Sequence, residues 1–395
     1  MRKLIISSSL LVLALTLTGC QGVQTNPNAE PSLTQSKARE LSSIQVWAGE
    51  ELLGSLASAA EQFEADHGVS VTVTQKGFFD IRGEIETGLN PPDLFAGSST
   101  WVRALGDKGL IYPVQSEPAL EFQAPSLRSF GYQGKQFGYP YAAENIALIC
   151  NSNEVSTQPT DWSQVATNQN PLPVLENGDP YYLYALQASF GASVFLQDEL
   201  GDDLAKLNFG GPGGSAFANW LGENRSSFKL QSSQAAVTSF INNEANCLLG
   251  GPWLIPQLGD AIDLAIYDVP ALGENPATSF LTTRGFFITQ ASSAKETAEL
   301  FLSEYLASAE FQKLVYLTSG QQPVTEAFLG EIDSSTTRGF VKAANTAVPL
   351  PTLEQLSQIW FEWGLAQVKI IQGASDPDLL WSEMARNLAS SLGLE

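Results

Sequence analysis

The chain has 395 residues, with 42 acidic against 20 basic side chains and a formal net charge of −22. Such a field repels nucleic acid and anionic lipid, and it disfavours phosphate-rich or acidic ligands unless a local basic pocket overrides it. With 44% hydrophobic and only 16% charged residues, the chain can fill sizeable cores, and its many Ser, Thr, Asn and Gln suit a neutral polar partner.

Arg2 and Lys3 precede a mostly apolar segment from Leu4 to Leu17, the length of a signal-peptide core and too short to span a membrane. It closes in Leu17-Thr18-Gly19-Cys20, which resembles the bacterial lipobox. The resemblance implies that residues 1–19 are a signal peptide and that Cys20 is lipidated and begins the mature chain. An ordinary secretory signal with an incidental cysteine is the alternative. Residues 20–43 are rich in Gln, Asn, Ser, Thr and Pro and read as a flexible tether with little to bury. The expected place of work is the extracellular face of a bacterial cell membrane, reached through that lipid, or the periplasm of a Gram-negative cell. No later stretch is long and apolar enough to cross a bilayer. The remaining stretch, about 350 residues, suits two globular domains.

Ile44 to Trp47 reads as a strand. Leu52, Leu56, Ala59 and Phe63 then recur at helical spacing up to Asp66, and Gly68 supplies a C-terminal stop. Val69, Val71 and Val73 alternate with polar residues as a second strand, so a parallel crossover follows. A helix near Asp80 to Gly88 and a strand around Pro92 to Ala96 extend an α/β pattern. Ligands bind such sheets at the carboxyl ends of strands. Here those ends are Trp47 to Glu51 and Phe95 to Trp101.

Gly134 to Tyr139 reads as a hairpin-like approach to Pro140–Asn145, and Ile146 to Cys150 as a buried strand. Asp161-Trp162 opens a helix with an acidic cap. Pro180 to Gly191 forms a mostly apolar helix. Gly210-Gly211-Pro212-Gly213-Gly214-Ser215 reads as a loop, not a phosphate cradle, because no Gly-Lys-Ser/Thr follows. Ala235 to Asn243 is a helix leading into the strand Cys247–Leu249, and Gly285 to Thr289 is a further strand. Lys295 to Tyr316 reads as one long helix. The last helices run about Leu353 to Gln372 and Asp378 to Leu392, the latter opened by Asp376-Pro377. No internal repeat is evident.

Cys150 and Cys247 remain once Cys20 is assigned to the lipid. In an oxidising compartment they form a disulfide or stand as two buried thiols. His67 is the single histidine and sits where a helix should stop. Histidine-dependent triads and histidine-rich metal sites are thereby excluded, and no cofactor or metal is expected.

Four stretches together resemble the extracellular solute-binding proteins of bacterial sugar importers, most of all the maltose and maltodextrin branch. They are Ile44–Trp47 with Phe63–Gly68, then Gly138–Ile149, then Leu249-Gly250-Gly251-Pro252-Trp253, and finally Pro349-Leu350-Pro351 with Gln358-Ile359-Trp360-Phe361. The resemblance implies a two-lobed α/β fold with hinge strands and a ligand cleft. It divides the chain into 44–142 with 285–332 as one lobe and 143–284 with 333–395 as the other. It also implies an oligosaccharide ligand, ABC-transporter permease partners in the membrane, a monomer, no nucleic acid and no catalysis. A secreted carbohydrate-cleaving enzyme, a surface receptor and a binder of another solute are the rival readings.

A neutral sugar needs charged or polar acceptors at its hydroxyl edges and flat rings at its C–H faces. By the resemblance, Trp253, Trp360 and Tyr181 supply the rings, with Tyr182 an alternative to Tyr181. Glu144, Asp179, and Glu50 or Glu51 supply the acids, with Asp80 and Phe79 weaker candidates. The tryptophans could equally be core. The pattern departs in 95–103: Gly97 stands at the family's aromatic position and Thr100 at its acid, so Trp101 either compensates from a shifted place or packs inside.

Overall fold

The computed structural model describes residues 43–178, 180–198, 201–259, 262–351 and 356–394. Cys20 and Asp179 lie outside the described residues. Strand β1 (Ser43–Ala48) leads through a short 3-10 turn into helix α1 (Leu53–His67), which ends on Gly68 at φ +67°. A left-handed cap of that kind favours glycine. β2 (Ser70–Gln75) pairs parallel to β1, α2 (Phe78–Thr87) follows, and β3 (Leu94–Ser98) pairs parallel on the other side of β1. This is the crossover that the valine alternation predicts.

β4 (Ile111–Tyr112) precedes β5 (Gly138–Asn145) and β6 (Ala147–Asn151). Helices α3 (Pro180–Ser189), α4 (Gly211–Glu223) and α5 (Ser233–Ile241) lead to β7 (Cys247–Gly250) and β8 (Leu264–Tyr267), which flank β6 in an antiparallel sheet. β9 (Phe280–Thr289) is ten residues long and returns to the first sheet, antiparallel to β3 on one side and to β5 on the other. β10 (Val348–Pro349) pairs with the start of β9. Two helices close the chain, α6 (Leu356–Ile371) and α7 (Pro377–Leu392), the second capped by Asp376 accepting from the Leu379 N–H.

The apolar interior is divided. Ile44, Val46, Leu94, Leu281, Phe286 and Ile288 share one buried cluster with α1. Leu148, Cys150, Tyr184, Phe280, Trp363 and Trp381 share another. Neighbouring residues of β9, Phe280 and Leu281, therefore belong to different cores. This is the two-lobed α/β architecture that the resemblance implies. Among the described residues, no helix is long and apolar enough to cross a membrane.

Three predicted elements differ. Gly211–Ser215 is the first turn of α4 rather than a loop. Pro212 is tolerated there because its missing N–H would have no helical partner. Gly214 serves close packing, since a Cβ there would lie 2.0 Å from the Phe209 carbonyl oxygen. Lys295–Tyr316 is broken: Lys295–Leu300 is α-helical, Phe301–Leu306 is π-helical, and Ser308 caps a new helix at Ala309–Ser319. Asp161 caps only a single 3-10 turn, Trp162–Gln164, where Gln164 completes a capping box.

One buried phenol ties β5 to the chain beside it. The Tyr139 hydroxyl donates to the Ser116 carbonyl oxygen. Burial, then the charges of Glu117 and Glu299, push its pKa up to about 12. The folded state thus holds this proton more tightly than the unfolded chain, whose tyrosines titrate near ~10. The contribution to stability is fully present below pH ~10 and is lost as pH rises toward ~12. Thermal melts between these limits should show a steeper alkaline decline for the native protein than for Tyr139→Phe.

Candidate functional site

The carboxyl ends of β1, β2 and β3 open onto a cavity of about 440 Å³ lined by Glu50, Glu51, Lys76, Phe78, Tyr141 and Arg284 among others. Gly49 leads from β1 into this cavity in an ordinary extended conformation, with the Glu51 carboxylate close beside its Cα. Lys76 Nζ donates to both Glu84 oxygens, at 2.7 and 2.6 Å, and lies 4.2 Å from the Trp47 ring centre. Arg284 Nη1 stands 4.0 Å from Glu51 Oε1, and its guanidinium lies 4.8 Å from the Phe78 ring centre. Tyr141 is buried beside Arg284. Burial raises the Tyr141 pKa well above the ordinary phenol value; Arg284 opposes this, and the charges of Glu51 and Glu144 add to it.

Glu144 is exposed on β5, opposite Thr282 of β9. Its carboxylate therefore stands near the seam between the two cores. Asp80 is exposed in the first turn of α2, its Oδ2 2.6 Å from where a Gly77 Cβ would lie, and it is not among the cavity lining. The Phe79 side chain lies outside what the structure describes.

Trp101 is a correction to the idea of a ring reaching the ligand. It is 3% exposed and packs in the core with Trp47, Ile81 and Phe95. The reason is local. A Cβ on Gly97 would lie 2.6 Å from Trp101 Cε3, so the indole occupies the space that a side chain at 97 would need. The aromatic missing from position 97 has in effect been replaced by one turned inward from 101.

On the other side of the seam, three of the predicted rings come together. Tyr181, Trp253 and Trp360 are each partly exposed. Tyr181 stacks on Phe280 at 5.8 Å and lies 6.5 Å from Trp253. Trp360 meets Phe280 edge-on at 5.9 Å and stacks on the buried Trp363 at 5.1 Å. The Trp253 Nε1–H donates to the Tyr182 hydroxyl at 3.3 Å. The Gly250-Gly251-Pro252-Trp253 motif has a steric basis: a Cβ on Gly251 would sit 2.1 Å from Trp253 Cζ3, so only glycine lets the indole fold over the strand end.

Sequence reasoning missed the buried Phe280, on which Tyr181 and Trp360 rest, and Arg284, Lys76 and Phe78 in the cavity. Arg284 had a readable signal: the one charge in the stretch Phe280–Thr289, next to a glycine. Lys76 and Phe78 had none, because only the fold brings them to Glu51.

With two cores joined at β9 and polar and aromatic groups gathered at the strand ends, the molecule has the build of a clasping binder. Residues 58–337 match the family described as bacterial extracellular solute-binding protein, and the chain belongs to that family. It is 24% identical over 390 residues to the maltooligosaccharide ABC transporter solute-binding lipoprotein of Streptococcus pneumoniae strain R6, covering 91% of this chain and 90% of that protein. It is 22% identical to the galactooligosaccharide-binding protein of Bacillus subtilis strain 168, over 92% of this chain and 91% of that one. Its fold matches an extracellular solute-binding protein from Staphylococcus aureus in complex with maltose, with TM-score 0.79, 18% identity and coverage of 89% of this chain and 98% of that one.

Proposed function

We propose that this protein captures a neutral oligosaccharide of the maltooligosaccharide type between its lobes and delivers it unaltered to an ABC importer. The observation that carries the reading is the ring assembly in which Tyr181 and Trp360 rest on Phe280 and Trp253 lies beside Tyr181, a set of partly exposed flat rings suited to sugar C–H surfaces. Glu144 and Glu50 or Glu51 supply acceptors for hydroxyl edges, and Asp179, which precedes Pro180 in sequence, is the third acid of this reading. The names of the relatives support the same solute class. The lobes are 44–142 with 285–332 and 143–284 with 333–395, and closure about the strands between them sequesters the sugar. The body works as a monomer, held to the outer face of the membrane through lipid on Cys20, and its partners are the importer's permease subunits.

Calorimetric titration with maltose to maltoheptaose, alongside galactooligosaccharides, tests this. We expect saturable binding of at least one maltooligosaccharide, with chromatography showing the same chain length after prolonged incubation. No heat with any member would overturn the ligand class, and shortened products would restore the hydrolase reading.

A further inference from the structure

We propose that Arg284 is a saccharide-contacting residue that supplies the donor side of the cavity at the ends of β1 and β2, held in place by a bulge at Tyr141 and by Phe78. The inference rests on the oligosaccharide reading above. Its starting point is the pairing of β9 with β5. Arg284 faces Ala142, but Gly285 faces Pro140, so Tyr141 is an extra residue in β5. A bulge of this kind re-aims nearby side chains and is common beside binding sites. Pro140, which has no N–H for the ladder, fits such a position. Gly285 is required, since a Cβ there would lie 2.4 Å from both the Phe130 ring and the Tyr139 carbonyl oxygen.

The result is that Tyr141 and Arg284 both line the cavity, with the guanidinium close enough to oppose the rise in the phenol's pKa. Behind Arg284 runs a chain of ring contacts. Its guanidinium lies over Phe78 at 4.8 Å, Phe78 meets Trp101 at 4.6 Å, and Arg82 lies 5.9 Å from Trp101. Trp101 can take this place only because residue 97 is glycine. The feature that departs from the family pattern thus builds the support for Arg284.

The guanidinium is a planar fork of five N–H donors. One carboxylate at 4.0 Å and one phenol leave it donors for a ligand, and its side chain is 32% exposed. Carboxylates such as Glu51 only accept, so an arginine beside them lets one sugar hydroxyl donate to the acid and accept from the fork. Phe78 and Tyr141 are positioning residues.

The test is a binding cycle by calorimetry, using the wild-type protein, Arg284→Met and a set of monodeoxy maltotriosides. Methionine keeps the packing on Phe78 and removes the donors. We expect affinity for maltotriose to fall about 10- to 100-fold, and the loss to vanish for the one deoxy sugar that lacks the contacted hydroxyl. Phe78→Leu should weaken binding in the wild-type background but not in Arg284→Met. If Arg284→Met does not fold by circular dichroism, Arg284→Lys carries the same cycle, since it keeps the charge but not the fork. Unchanged affinity in the Arg284 variant, with binding lost in Trp253→Ala, overturns this proposal and leaves the oligosaccharide reading standing. Losses that add at every hydroxyl overturn the direct contact. A wild-type protein that binds no saccharide overturns both.

Discussion

Trp253→Ala should weaken maltooligosaccharide binding by roughly 1–3 kcal/mol, the range typical of a ring stacked on a flat ligand face. The indole lies over Gly251 and is held by its hydrogen bond to Tyr182, with Tyr181 on its flank. Removing it leaves a gap beside Tyr181 and no flat face at the end of β7. The fold should persist, because Trp253 is partly exposed and the buried rings Trp363 and Trp381 do not depend on it. Calorimetry on the variant reads the loss directly. In the native protein, saccharide should also change tryptophan emission if Trp253 and Trp360 both contact it as proposed. An affinity equal to wild type would mean the indole only packs.

Replacing Cys150 and Cys247 together by alanine should lower the free energy of unfolding by on the order of 4 kcal/mol, in the chain-entropy account of a long closed loop. The two cysteines stand opposite each other in β6 and β7, and their Sγ atoms are joined at 2.04 Å across a sequence separation of 97. Both are fully buried, so the bond lies inside the core that carries the ring assembly. Guanidinium titration of the double variant gives the magnitude. Thiol counting on denatured, unreduced protein should find neither residue reactive, and two reactive thiols would defeat the prediction. The same variant should bind saccharide less tightly once partial unfolding sets in, because β7 leads straight into Trp253.

Much of the fold was legible because short-range rules and long-range packing agreed. The alternation Val69, Val71, Val73 reads as a strand with one half-buried apolar face, and Gly68 marks where the preceding helix must end. Reading failed where glycine served proximity instead of turning. At Gly213 and Gly214 the missing side chains make room for the Phe190 and Phe209 carbonyls, which no local pattern shows. In the candidate site, aromatic residues after a Gly-Gly-Pro motif were readable, since the motif and the ring share one steric cause. Phe280 was not, because its neighbours Tyr181, Tyr184 and Trp360 come from distant segments. Trp101 was readable as a replacement for the ring absent at 97, but its inward direction depends on how the chain leaves β3.

Phe280 and Arg284 lie four residues apart on one unbroken stretch of β9, with the irregularity falling only after Arg284. At about 3.3 Å per residue they are separated along the strand by roughly 13 Å, with both side chains on one face. Under the proposed reading, this strand is a ruler running from the rings seated on Phe280 to the Arg284 fork. Bending elsewhere alters how tightly the jaws shut but not the spacing of those marks, so the reach from the Arg284 fork to the rings seated on buried Phe280 has a floor dictated by covalent geometry.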